Sequence, residues 1–207
     1  SKEFRQLGSL TPGHPEVGHT PGVEVTTGPL GQGFANAVGM AISERWLREK
    51  FGAENISHNV FVICGDGDLS EGVSHEAASL AGSQQLGNLI CIYDDNHVTI
   101  DGPTELSLAD DAAKRFEAYG WNVIDLGESG EDLDAIENAL LDGKSNTTSP
   151  TIIILRTHIG HPSPTLTDSP SAHGYAFKDK EIIEAKELMG CLLYTSPSPR
   201  DVSLSRM

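Results

Sequence analysis

Asn59-Val60-Phe61-Val62-Ile63-Cys64-Gly65-Asp66-Gly67 is an almost uninterrupted apolar run that stops at Gly-Asp-Gly. That pattern predicts a strand buried on both faces of a parallel sheet. Upstream, Leu30, Phe34, Val38, Ala41, Ile42 and Trp46 recur at three- and four-residue spacing. Glu44, Arg45, Arg48 and Glu49 fall mostly off this stripe, so a helix is expected to about Phe51, stopped by Gly52. Downstream the alternation repeats. A small-residue helix is expected over 71–86, a strand at Leu89-Ile90-Cys91-Ile92-Tyr93 and a loop over 94–107. Then come a helix over 109–119, a strand over 121–126, a helix over 131–142 and a strand at Thr151-Ile152-Ile153-Ile154-Leu155. Strands alternating with helices imply right-handed crossovers and an α/β, doubly wound, mostly parallel sheet. Ligands of such sheets bind at the carboxyl ends of the strands.

The rest of the chain is punctuation and ends. Residues 8–29 hold five Gly, four Pro and two His with little periodicity, and 158–174 is a second Pro-, His- and Ser-rich stretch. Both read as ordered or functional loops. Residues 178–189 read as a charged surface helix. The last stretch, CLLYTSPSPRDVSLSRM, fits none of this, with four Ser, two Pro and no period. The expected organisation is therefore a domain over 1–190 and a disordered or non-native tail over 191–207. Ser1 stands where an initiator Met would, so a start in mid-protein is expected.

Composition narrows the function classes. Of the 207 residues 38% are hydrophobic, and the 22 glycines bring the apolar share to about half, as in a soluble globular domain. A net charge of -16 argues against nucleic acid and anionic membrane surfaces as partners. No run of 18 apolar residues exists, and residues 1–20 carry no signal-like segment, so a cytoplasmic location is expected. Cys64, Cys91 and Cys191 form no CxxC pair, which disfavours a disulfide framework or a thiolate zinc site.

Chemistry concentrates at the two strand ends. Gly65-Asp66-Gly67 is followed after 28 residues by Asn96, just past the next strand. Sequential parallel strands usually lie close, so Asp66 and Asn96 are expected to converge above the sheet. A carboxylate, an amide oxygen and a backbone carbonyl are hard ligands suited to Mg²⁺ or Ca²⁺, with phosphates completing the shell. Taken alone, the same residues also read as an Asp-Gly turn and an Asn loop cap.

The flanks decide between these readings. TPGHPE (11–16), GVEVTTGPLGQG (22–33), NAVGMA (36–41), GDGDLSEGVSHEAASLAG (65–82), YDDN (93–96), TIDG (99–102) and RFEAYGW (115–121) together resemble the transketolase family over about residues 3–189. The resemblance implies the diphosphate domain of the thiamine diphosphate-binding fold, incomplete here. It also implies transfer of a two-carbon ketol unit between sugar phosphates by a larger enzyme, a homodimer formed through the missing domains. By similarity, Asp66, Asn96 and the carbonyl of Val98 hold the metal. Gly28, Pro29, Leu30, Gly65 and Gly67 line the cofactor, and Ile100 and Ile159 contact its thiazolium region. His14 acts on the ketose oxygens, and His173 stands at the diphosphate and substrate. Glu71 and Glu76, read as five apart on one helix, belong to a subunit-interface acid network. That network reaches an activating glutamate in the following domain, so the chain alone is expected to be inactive.

Departures and rivals accompany this reading. Asp68 stands where many members of the family have Cys or another uncharged residue, adding negative charge near the metal. The 157–174 loop differs in its middle, which leaves His158 and His161 without assigned roles. The small face Ala77, Ala78, Ala81 and Gly82 is expected to lie open for a partner subunit. Dihydroxyacetone synthase, a split-transketolase subunit and a catalytically inert fragment are the alternative functions.

Overall fold

The computed structural model describes residues 3–174 and 177–191. In chain order its elements are α1 (Gln32–Phe51), β1 (Val60–Gly65), α2 (Asp66–Ser70), α3 (Gly72–Ser83), β2 (Leu89–Asp95), β3 (Val98–Thr99) and β4 (Gly102–Pro103). There follow α4 (Ala112–Ala118), β5 (Asn122–Asp125), α5 (Leu133–Ser145), β6 (Thr151–Arg156) and α6 (Asp179–Leu188). They fall into two compact units. The first takes the described residues within Ser1–Asp95 and Leu108–Thr157, the second those within Asn96–Ser107 and His158–Met207. The reading of 191–207 as a tail falls, apart from Cys191, outside the described residues.

The first unit is built on a four-stranded parallel sheet in the order β1-β2-β6-β5. The long apolar runs of β2 and β6 take the middle, where Leu89, Ile90, Cys91, Ile152 and Ile153 are buried. Alternation along these strands feeds two separate cores. Val60, Cys64, Leu89, Cys91, Ile152 and Ile154 face α1 and α3. Ile90, Ile153 and Leu155 face α5 through Ala139 and Ile136. Helices thus cover both faces, as the doubly wound reading requires.

Three local expectations are corrected. β1 is an edge strand and is not buried on both faces: Phe61 is 49% and Ile63 73% exposed. The physical reason is that α5 packs over β6 and β2, while α1 covers only the other face of β1. The stripe on α1 is also rotated from the one expected. Phe34, Ala37, Val38, Ala41 and Glu44 are buried, whereas Ile42 and Trp46 are exposed. Glu44 is admitted to the core because Asn88 Nδ2 donates to its Oε2 at 2.7 Å and to the Ala41 carbonyl at 3.1 Å, with Arg48 Nε 3.8 Å from Oε1. Finally, the face of α3 expected to lie open is covered. Ala77, Ala78, Ala81 and Gly82 are buried beneath an aromatic cluster in which Trp121 stacks on Phe34 at 5.9 Å and meets Phe116 edge-on at 5.0 Å. The Trp121 indole N–H donates to the Ala78 carbonyl at 2.8 Å.

Two smaller differences concern boundaries. The single helix expected over 71–86 is α2 and α3, parted at Glu71, which is extended at φ -73, ψ 139. In the second unit, the expected loop 94–107 contains the antiparallel pair β3–β4, closed by Thr99 Oγ1 donating to the Gly102 carbonyl at 2.9 Å.

Two side-chain contacts join β2 to β1 and to the start of α2. The Cys64 and Cys91 sulfurs lie 3.4 Å apart, both buried. The hydrogen bond to Cys91 and burial push the Cys64 thiol well above its ordinary pKa. The Tyr93 hydroxyl donates to Asp66 Oδ1 at 2.5 Å and to Asp95 Oδ1 at 3.2 Å. Burial, and then the Asp66 carboxylate, raise the Tyr93 phenol far above its usual value.

Two outcomes are expected. A Cβ at Gly82 would stand 1.8 Å from the Tyr119 carbonyl oxygen. Gly82→Ala gains about 1 kcal/mol of helix propensity, but overpacking against rigid backbone costs about 1–3 kcal/mol or more. The urea midpoint should therefore fall, and a midpoint that rises would show that α3 does not touch the 119–121 turn. For Tyr93, the folded state keeps its proton while the unfolded chain loses it near pH 10. The stabilisation is full below that pH and is lost as pH rises beyond it. Unfolding free energy measured from about pH 8 to 11 should fall more steeply for wild type than for Tyr93→Phe, and parallel slopes would contradict the assignment.

Candidate cofactor-binding site

Parallel pairing sets Gly65 opposite Asp94, so the carboxyl ends of β1 and β2 finish side by side. α2 begins at once, putting Asp66 and Gly67 in a helix first turn whose amides have no intrahelical acceptor. Asp66 is 5% exposed, and a carboxylate buried to that degree requires donors. One is the Tyr93 hydroxyl. In addition, Ser70 Oγ donates to the Asp66 carbonyl at 2.7 Å and closes the turn.

The Gly28–Gly31 loop seats against this turn within the first unit. Leu30 is half exposed, and its Cδ1 lies 3.1 Å from where a Gly67 Cβ would stand. His14 covers Gly28, its ring carbon 2.6 Å from a Cβ placed there, and its Nδ1 lies 3.2 Å from Glu16 Oε1. Four residues named from the sequence, His14, Gly28, Leu30 and Gly67, are therefore brought into one contiguous surface. Pro29 and Leu30 also line a cavity of about 400 Å³ with Thr27, Phe34, Met40 and Asp68.

The remaining sequence-named residues are distributed otherwise. Glu71 and Glu76 are both exposed, with Glu71 ahead of α3 and Glu76 inside it, so they do not share one helix as expected. Asn96, Val98, Ile100, Ile159 and His173 belong to the second unit. There Asn96, which directly follows β2, accepts the Val98 N–H on its Oδ1 at 2.9 Å, and this turn buries Val98 to 6% exposure. Ile100 is 60% exposed. The Ile159 carbonyl accepts the Asp168 N–H at 2.9 Å, and Asp168 also holds His158 Nδ1 at 2.9 Å. His173 follows the turn Pro170–Ala172 and is partly buried.

Sequence reasoning missed two contributors. Tyr93 stands in the sequence as the end of an expected strand and the start of YDDN, with no role of its own, although period-two alternation from Cys91 already places it on the α1 and α3 face. Asp68 was read only as added charge. Its spacing of three residues after Gly65 is that of a capping box.

The residues present suit a diphosphate cofactor and a hard cation. Asp66 offers a hard carboxylate in a helix first turn, and Gly65 and Gly67 flank it without side chains. Among the described residues no group of three or more His, Cys, Asp and Glu side chains is placed to hold a metal. Any metal at Asp66 would need further oxygens from amides, carbonyls or phosphates. Among the described residues no helix is long and apolar enough to cross a membrane.

Comparison with known proteins identifies the family. Residues 1–200 match the family described as transketolase, thiamine diphosphate binding domain. The transketolase of Mycobacterium leprae is 49% identical over 195 residues, covering 91% of this chain and 28% of that protein. For Aquifex aeolicus transketolase the identity is 53% over 192 residues, covering 91% and 27%. The crystal structure of Campylobacter jejuni transketolase superposes with a TM-score of 0.90 at 42% identity, over 99% of this chain and 32% of that one. A Pichia stipitis transketolase complexed with sedoheptulose 7-phosphate gives 0.91 at 41%, over 99% and 31%. The chain thus spans about 28% of the length of the curated relatives it matches, and by residues 1–200 it belongs to the thiamine diphosphate-binding domain family of the transketolases.

Proposed function

We propose that the protein containing this chain transfers a two-carbon ketol unit between sugar phosphates using thiamine diphosphate. The observation that carries the reading is the seating of Leu30 on Gly67. It joins the two glycine segments, 28–33 and 65–67, to which the family resemblance assigns the cofactor. The family resemblance assigns Gly28, Pro29, Leu30, Gly65 and Gly67 to its diphosphate and ring edges, and Ile100, Ile159 and His173 to further contacts with it. When bound, the cofactor supplies the nucleophilic carbon and electron sink that a sugar lacks.

Asp66, Asn96 and the Val98 carbonyl are the proposed ligands of Mg²⁺, or of Ca²⁺, which would neutralise the diphosphate. In this reading, Tyr93 keeps the Asp66 carboxylate oriented by its hydrogen bond. His14, exposed beside Gly28, would act on substrate oxygens in this reading. Glu71 and Glu76 are surface carboxylates and would serve at a homodimer interface. The sugar phosphate class is supported by Pichia stipitis transketolase structures complexed with xylulose 5-phosphate and sedoheptulose 7-phosphate. Cys64, Cys91 and Cys191 are free thiols, which supports a reducing, cytoplasmic setting.

Titration of thiamine diphosphate and Mg²⁺ into the intact protein tests the site. Asp66→Ala and Asn96→Ala should each weaken cofactor affinity by about 10- to 100-fold, the scale seen even when groups supporting a metal ligand are lost. Unchanged affinity and metal dependence would sink the ligand assignment. A separate variant isolates the substrate role. His14→Ala should bind the cofactor normally, while ketol transfer falls by about 100-fold or more, and wild-type turnover would return His14 to the ordinary loop residues.

A further inference from the structure

Asp68 is left without a task by this reading. It is no implied ligand, and a carboxylate beside a diphosphate site repels the anion. Both of its side-chain oxygens are nevertheless engaged by backbone. Oδ1 accepts the Gly31 N–H at 2.9 Å, and Oδ2 accepts the Gly65 N–H at 2.9 Å. Its own carbonyl accepts Ser74 Oγ at 2.5 Å and the Glu71 N–H at 3.3 Å.

The two amides belong to the two glycine segments already described. Gly31 is the N-cap of α1, a 20-residue helix with no acidic residue in its first turn and no side-chain cap of its own. Gly65 is the N-cap of α2. One carboxylate thus supplies the acceptor and the negative charge that both helix starts call for. Steric contact holds the same joint. Gly31 has φ 76, and a Cβ there would meet Ser74 Oγ at 2.8 Å and Glu71 Cβ at 2.9 Å. The loop before α1 therefore rests directly on the chain that follows Asp68.

We propose that Asp68 is a positioning residue, a brace that fixes the Gly28–Gly31 loop on the Gly65–Gly67 turn before the cofactor arrives. The cofactor part of this inference rests on the function proposed above. Bracing and simple charge predict opposite signs, which makes the idea testable. If Asp68 acts only as a charge, neutralising it relieves repulsion and tightens diphosphate binding. If it braces, Asp68→Asn keeps the size, loses one of two acceptors and loosens the site.

The experiment uses the intact protein carrying Asp68→Asn, with Asp68→Ala as the stronger variant. In the ligand-free state, hydrogen exchange at the Gly31 and Gly65 amides should accelerate by about 10-fold or more, while the β2 and β6 amides keep wild-type rates. Calorimetric titration of thiamine diphosphate with Mg²⁺ should give a dissociation constant raised about 10-fold. The cofactor KM should rise by more than kcat falls at saturating cofactor. Unchanged exchange at the two glycines, acceleration spread equally through β2 and β6, or tighter cofactor binding by Asp68→Asn would each overturn the brace. Failure of the wild-type protein to bind thiamine diphosphate would instead refute the proposed function, and the exchange rates of the ligand-free variants would still judge the brace. Should Asp68→Ala not fold, Asp68→Asn alone decides.

Discussion

β1 and β2 run parallel with Gly65 level with Asp94, and the remaining features of the first unit depend on that register. Side chains on a strand alternate between faces, so a slip of one residue would turn Val60 and Cys64 away from α1 and α3 and expose them. The same slip would carry Asp66 away from Tyr93 and break the bond between them. Burial of Leu89, Cys91 and Tyr93 on one face and Ile90 on the other makes such a slip costly in apolar area. The register that the core enforces is therefore also what delivers Asp66 to its place.

α1 is pinned at two points by polar contacts at opposite ends of the strands. At its start the Gly31 amide meets Asp68 beside the carboxyl end of β1. In its second half Glu44 meets Asn88, immediately before β2 begins. Between them the Phe34 ring locks into Trp121 and Phe116. A helix fixed in this way cannot slide along the sheet, so the loop that precedes it, which carries Gly28 and Leu30, inherits a fixed point of origin.

The order of strands and helices was legible in the sequence because it depends on runs and periods local to each element. β2 and β6 are the clearest case, since central strands need apolar residues on both faces and show it as unbroken runs. Burial was less legible because it depends on what arrives from elsewhere in the chain. Phe61 and Ile63 read as core yet lie on an edge that α5 does not reach. Glu44 read as surface yet is admitted by Asn88, 44 residues away. Gly82 and its neighbours read as an open face because nothing near them in sequence announces Trp121, whose indole bonds Ala78 at a separation of 43 residues. At the candidate site, glycine spacing and motif order gave the residue list. The bond from Tyr93 to Asp66 and the two amides gathered by Asp68 are properties of the fold.

The sulfur pair between β1 and β2 has a practical consequence. Cys64 and Cys91 are shut inside the core with their sulfurs in contact, and the Cys64 thiol resists ionisation. Alkylating reagents attack thiolates and need access, so neither residue can react until the core beneath α1 and α3 opens. Cys191, by contrast, is exposed and open to immediate reaction. The chain therefore carries its own clock for core opening: a fast label at Cys191 sets the zero, and the slow appearance of doubly and triply modified species times the uncovering of the sheet face under α1 and α3.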